Sequence, residues 1–85
     1  MKRPDITREE LVALITETLF DVARIKVAPH QYEENLFALG LDSLKAIQML
    51  NQLEDRLDLM IDDSKLKTFT SIKAMTDFFD SLPTD

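Results

Sequence analysis

The sequence predicts an all-α fold: a small four-helix bundle of three main helices and one short helix, with a long ordered loop between the first two. Three observations carry this. Apolar residues recur at three- and four-residue spacings over long stretches, without the alternation a half-buried strand needs. Turn material is scarce, one glycine and three prolines, which is too little for a series of hairpins. With 45% apolar and 31% charged residues, the composition is that of a globular chain and not of a disordered tail. Eighty-five residues predict a single domain over 1–85, near the lower limit for a core without staples, with 1–6 and 83–85 as flexible ends.

The first helix is expected after Thr7, because Thr7-Arg8-Glu9-Glu10 fits a capping box. Leu11, Ile15, Leu19 and Val22 then form one stripe, which Val12 and Ala23 widen; it fades near Ile25, and Pro29 opposes continuation. Residues 26–41 form a connection too long to be featureless. Tyr32, Leu36, Phe37, Leu39 and Leu41 supply apolar groups to pack it down, around a short turn at Glu33 to Phe37. The second helix runs from Ser43 to Leu57 with Asp42 as its cap, burying Ile47, Leu50, Leu53 and Leu57 beside Ala46. A loop from Asp58 to Ser64 leads to a helical turn near Asp63 to Lys67. Thr70 or Ser71 caps the last helix, whose face is Ile72, Met75, Phe78, Phe79 and Leu82, and Pro83 ends it. Met49 and Met60 read as core fillers.

Sixteen acids against ten bases give a formal charge of −6, which opposes binding to nucleic acid or an anionic membrane and favours basic partner surfaces. The charged start Met1-Lys2-Arg3-Pro4-Asp5 has no apolar signal region, and no apolar run approaches the ~20 residues of a membrane span. The expectation is a cytoplasmic monomer. No cysteine is present, so disulfides, thiolate metal sites and cysteine nucleophiles are excluded.

Enzymatic readings find little support. A serine nucleophile elbow needs Gly-x-Ser-x-Gly, whereas Gly40 stands three residues before Ser43 and Lys45 takes the second glycine's place. His30 is the only histidine able to serve as base, and it stands in a loop. Asp58, Asp62 and Asp63 invite a calcium reading, but they lack the one-three-five ligand spacing, the central glycine and the terminal glutamate. A solvated, helix-capping acidic loop explains them better. No metal and no catalytic residue is expected.

Ser43 stands out by position. It opens a helix, where free backbone N–H groups and the helix dipole favour an anion. Taken alone, Asp42 and Ser43 read best as a simple cap.

Phe37-Ala38-Leu39-Gly40-Leu41-Asp42-Ser43-Leu44-Lys45-Ala46-Ile47 resembles the modification motif of acyl carrier and peptidyl carrier proteins. The likeness extends to Asn35-Leu36-Phe37, to the acid-rich Leu53-Glu54-Asp55-Arg56-Leu57 and to Thr70-Ser71-Ile72, and so covers almost the whole chain. It implies a 4′-phosphopantetheine arm attached to Ser43, whose terminal thiol carries acyl or aminoacyl groups as thioesters. Asp42 becomes the acidic neighbour that a modifying enzyme reads, and Gly40 the turn that delivers the serine. The implied partners are a phosphopantetheinyl transferase and the enzymes that load and process the cargo. Leu50, Met75 and Phe79 could part to admit an acyl chain, as in some members of the family.

The second helix separates subtypes. Carriers of bacterial fatty acid synthesis have an acidic face here, whereas residues 43–53 contain no acid and one base, Lys45. Ser-Leu-Lys-Ala-Ile-Gln resembles carrier domains of nonribosomal peptide and polyketide assembly lines, and the chain ends imply a free-standing carrier for a specialised pathway. Leu44, Gln48 and Asn51 are the expected partner contacts. Two alternatives stand beside this reading: a carrier of primary type II fatty acid synthesis, and a helical protein-interaction module without a covalent arm.

Overall fold

Thr7 starts the first helix as its sequence requires. In a computed structural model describing residues 5–82, the Thr7 hydroxyl accepts from the Glu10 N–H and the Thr7 N–H donates to Glu10 Oε1, each at 3.1 Å. This reciprocal box opens α1, Arg8–Ala23, which buries Leu11, Ile15, Thr18 and Leu19. Ile6 was expected in a flexible end but packs against the core. It occupies the position before the cap, from which an apolar side chain fixes the entry angle of the chain. Of the other expected flexible residues, Asp5 is an exposed bend, and 1–4 and 83–85, with the Pro83 stop, lie outside the described residues.

α2, Ser43–Leu57, and α3, Ile72–Asp80, complete the main helices, and a 3₁₀ helix, Asp63–Thr68, is the expected short one. Among the described residues there is no strand, so the fold is the all-α bundle that the sequence predicts. Ser71, not Thr70, caps α3: its hydroxyl accepts from the Ala74 N–H at 3.0 Å. α1 packs against both α2 and α3, and the 3₁₀ helix bridges α2 and α3. Leu19, Leu50, Leu53, Ile72 and Phe79 are fully buried between them. Phe69, Phe78 and Phe79 form an aromatic cluster with ring centroids 5.2–6.0 Å apart. At the surface, Arg56 of α2 reaches Asp21 at 3.1 Å and Glu17 at 3.4 Å on α1.

The buried stripe of α2 is Ala46, Met49, Leu50 and Leu53, which corrects the expected place of Ile47. Ile47 is 41% exposed because it projects about 100° from Ala46, on the adjoining face. Met60 is likewise not a core filler but 86% exposed. Asp58 takes a left-handed conformation (φ 54°), and the Glu54 carboxylate accepts the Ile61 N–H at 2.7 Å. That geometry turns Ile61 into the core and leaves Met60 outside.

The long loop is ordered, with its turns placed differently from expectation. A 3₁₀ turn spans Pro29–Gln31, where Pro29 presets the first helical φ, and a second turn falls at 36–40. Two backbone bonds tie the loop to the entrance of α3: Lys73 N–H to the Tyr32 carbonyl and Leu36 N–H to the Thr70 carbonyl, both 2.8 Å. Leu36 and Leu41 are buried, and Tyr32 and Leu39 pack against the core. Phe37 does not, being 39% exposed, since it follows the inward Leu36 around the turn.

Candidate functional site

The approach to Ser43 is built by one helical turn with a start and a stop of its own. Asn35 opens it, its side-chain oxygen accepting the Phe37 N–H at 2.9 Å. At the other end the Gly40 N–H donates to the Phe37 carbonyl at 3.3 Å and the Leu41 N–H to the Leu36 carbonyl at 3.0 Å. These two bonds form a Schellman closure, with Gly40 in the position that requires positive φ (116°) and buried Leu36 and Leu41 at its hydrophobic pair of positions. A Cβ on Gly40 would come no nearer to a neighbour than 4.0 Å, at Ile25 Cδ1. The glycine is therefore required by the backbone and not by space.

From Gly40 the chain runs extended through Asp42 (φ −118°, ψ 174°) into α2. Asp42 Oδ1 accepts the Lys45 N–H at 2.8 Å, and the Asp42 carbonyl accepts the Ala46 N–H at 2.9 Å. The N–H groups of Ser43 and Leu44 are left without an intrahelical acceptor and face the end where the helix dipole is positive. Ser43 is exposed at the first position of the helix, and among the described residues its hydroxyl makes no hydrogen bond. Gly40, Asp42 and Ser43 thus converge on one helix mouth.

The expected contact residues share a face beside it. Leu44, Gln48 and Asn51 are exposed, Leu44 by 63%. Ile47 joins them at the i+3 position from Leu44, giving an i, i+3, i+4, i+7 row along α2. The sequence contained a signal for this: the stripe through Ala46 continues apolar to Met49, Leu50, Leu53 and Leu57, whereas the one through Ile47 runs into Asn51 and Asp58. Asn35 and Leu36 were legible only as parts of a motif; their capping and closing roles depend on backbone geometry.

The acids at the far end of α2 are partly engaged, since Glu54 holds the Ile61 N–H. Of the acidic loop after α2, Asp58 forms the left-handed helix end and Asp62 caps the 3₁₀ helix through the Ser64 N–H at 2.9 Å. Among the described residues no group of three or more potential metal ligands occurs, and no helix is long and apolar enough to cross a membrane.

Residues 10–79 match a family model described as "Phosphopantetheine attachment site". No curated protein matches the chain.

Proposed function

The chain belongs to the phosphopantetheine attachment site family, and from that membership we propose that it holds acyl or aminoacyl groups for a specialised polyketide, nonribosomal peptide or lipid-related pathway, with Ser43 as the residue of attachment. The family's 4′-phosphopantetheine is covalently bound and supplies a flexible thiol that carries the cargo. What this chain's residues contribute follows from the mouth of α2. Exposure leaves the Ser43 hydroxyl open to a phosphopantetheinyl transferase. The Ser43 and Leu44 N–H groups, at the positive end of the dipole, compensate the charge of a phosphodiester. Asp42 keeps the helix start in register and is the acidic neighbour such a transferase can read. Leu44, Gln48 and Asn51, with Ile47 between them, present a mixed apolar and polar face to partner enzymes. The absence of any acid from residues 43–53 supports partners other than those of fatty acid synthesis.

The observation that carries the attachment reading is an exposed, unbonded serine at the first position of a helix in a chain of this family. Incubation with coenzyme A and a broad phosphopantetheinyl transferase is expected to add one phosphopantetheinyl group to the intact mass, and Ser43→Ala to add none. No gain with any transferase, or a gain retained in Ser43→Ala, overturns the assignment. The pathway reading fails if a fatty acid ketosynthase and malonyl transferase accept the loaded protein as well as their own carrier.

A further inference from the structure

The formal charge of −6 is not spread evenly along the chain. Residues 22–53, which carry the helix mouth, hold three bases, Arg24, Lys26 and Lys45, against three acids, Glu33, Glu34 and Asp42. The whole excess of acid therefore lies outside them. Two of those bases stand together. The Arg24 guanidinium and the Lys26 ammonium each lie over the Phe20 ring, 5.3 Å from its centre, where the ring quadrupole attracts a cation.

Helix chemistry alone does not satisfy these charges. Arg24 ends α1 in a left-handed conformation (φ 59°), and a cation at that end complements the helix dipole. Yet among the described residues neither head group makes a hydrogen bond to a carbonyl or an ion pair with a carboxylate. The acids that precede them on α1, Glu17 and Asp21, are held by Arg56 at 3.4 and 3.1 Å. Counting all five groups, three cations stand against two carboxylates, and the excess falls on the exposed Arg24 and Lys26. Contact with the ring also restrains both long side chains, which lowers the ordering cost of binding through them.

The pair has a fixed relation to the helix mouth. Ile25, between the two cations, packs against the core, and its Cδ1 lies 4.0 Å from where a Cβ on Gly40 would stand. Gly40 closes the turn that delivers Ser43. We propose that Arg24 and Lys26, seated on Phe20, are the docking point for an acidic segment of the partner enzyme that receives the arm on Ser43. Carboxylates of that segment meet the guanidinium and the ammonium in charge-assisted hydrogen bonds, whereas a basic segment is repelled here. The identity of that partner rests on the carrier reading; the charge contact does not.

The probe is the peptide acetyl-Glu-Asp-Gly-Glu-amide, titrated at low ionic strength into the isotope-labelled full chain and followed by amide chemical shifts. Its uncharged counterpart, acetyl-Gln-Asn-Gly-Gln-amide, is the control. The acidic peptide is expected to shift the amides of Arg24, Ile25 and Lys26 while leaving Lys65 and Lys67 in place, and the uncharged peptide to shift none of them. Arg24→Gln with Lys26→Gln, both at exposed positions, weakens binding about fivefold or more. Lys65→Gln with Lys67→Gln, which removes two exposed cations of the 3₁₀ helix, leaves it unchanged. The proposal is overturned by no shift at millimolar acidic peptide, by equal response to the uncharged peptide, by unchanged affinity in the Arg24 and Lys26 double variant, or by an equal loss in the Lys65 and Lys67 one. Transfer of phosphopantetheine to Ser43 keeps the two readings apart. Transfer without peptide binding strikes the docking point alone, and peptide binding without transfer strikes the carrier reading alone.

Discussion

At Asp42 one carboxylate does two things that substitution separates. Its Oδ1 accepts the Lys45 N–H at 2.8 Å and so caps α2, and its charge stands next to Ser43. Asparagine keeps a side-chain oxygen in the capping position, whereas alanine leaves the N–H with water alone. Asp42→Asn is therefore expected to melt close to the parent. Asp42→Ala loses about 1 kcal/mol, about 4–8 °C for a domain of this size, in a thermal melt followed by circular dichroism. Transfer of phosphopantetheine separates the second contribution. If the transferase reads the charge, as proposed, Asp42→Asn slows modification although its helix is intact. A variant modified at the parent's rate would reduce Asp42 to a cap.

The long connection between α1 and α2 behaves as a core element because of one residue. Leu36 is fully buried, its N–H is held by the Thr70 carbonyl, and its own carbonyl closes the turn through Leu41. Leu36→Ala is expected to cost about 2–4 kcal/mol, as a helix core position would, whereas the neighbouring half-exposed Phe37→Ala costs under about 1 kcal/mol; urea denaturation of the two variants checks the contrast. Elements of this kind divide what could be read from the sequence from what could not. Helix starts were legible at Thr7 and Asp42, and to within one residue at Thr70 or Ser71, because a cap is local chemistry and the residues that make it are within three positions of each other. The helix mouth was legible for the same reason: Gly40, Asp42 and Ser43 fall within four successive positions. Ile47 and Met60 were misplaced because periodicity defines a face only to about one residue in width, and a left-handed residue such as Asp58 resets the phase. The cation pair on Phe20 was beyond reach, since Lys26 comes back over that ring only after the left-handed residue Arg24 has ended α1.

At the scale of the whole molecule, and among the described residues, Glu10, Asp62 and Asp77 link stability to acid pH. Glu10 is held below its ordinary range by the Thr7 N–H and hydroxyl, and Asp62 by the Ser64 N–H. Asp77 is lowered by its bond to Lys73 and then by Arg8. A carboxylate with a depressed folded value stabilises the fold above its unfolded value of about 4, and that contribution is lost as pH falls through the folded value. Lys73 runs the other way: Asp77 raises it, so its contribution is present below about 10.4 and disappears as pH climbs through the folded value. The bonds of these groups are thus all in place between about pH 5 and pH 10. Asp77 is the decisive case, because it joins Lys73 within α3 and Arg8 across to α1, and Arg8 retains Asp80 when it is removed. Being exposed, these pairs are weakened by salt, so the effect is read at low ionic strength. Thermal midpoints of the parent and of Asp77→Asn, measured from pH 7 to pH 3, are expected to differ at pH 7 and to converge as Asp77 protonates. A gap that persists unchanged once Asp77 has protonated would mean that the side chain acts through packing, and that its own pairs with Lys73 and Arg8 add nothing to the fold.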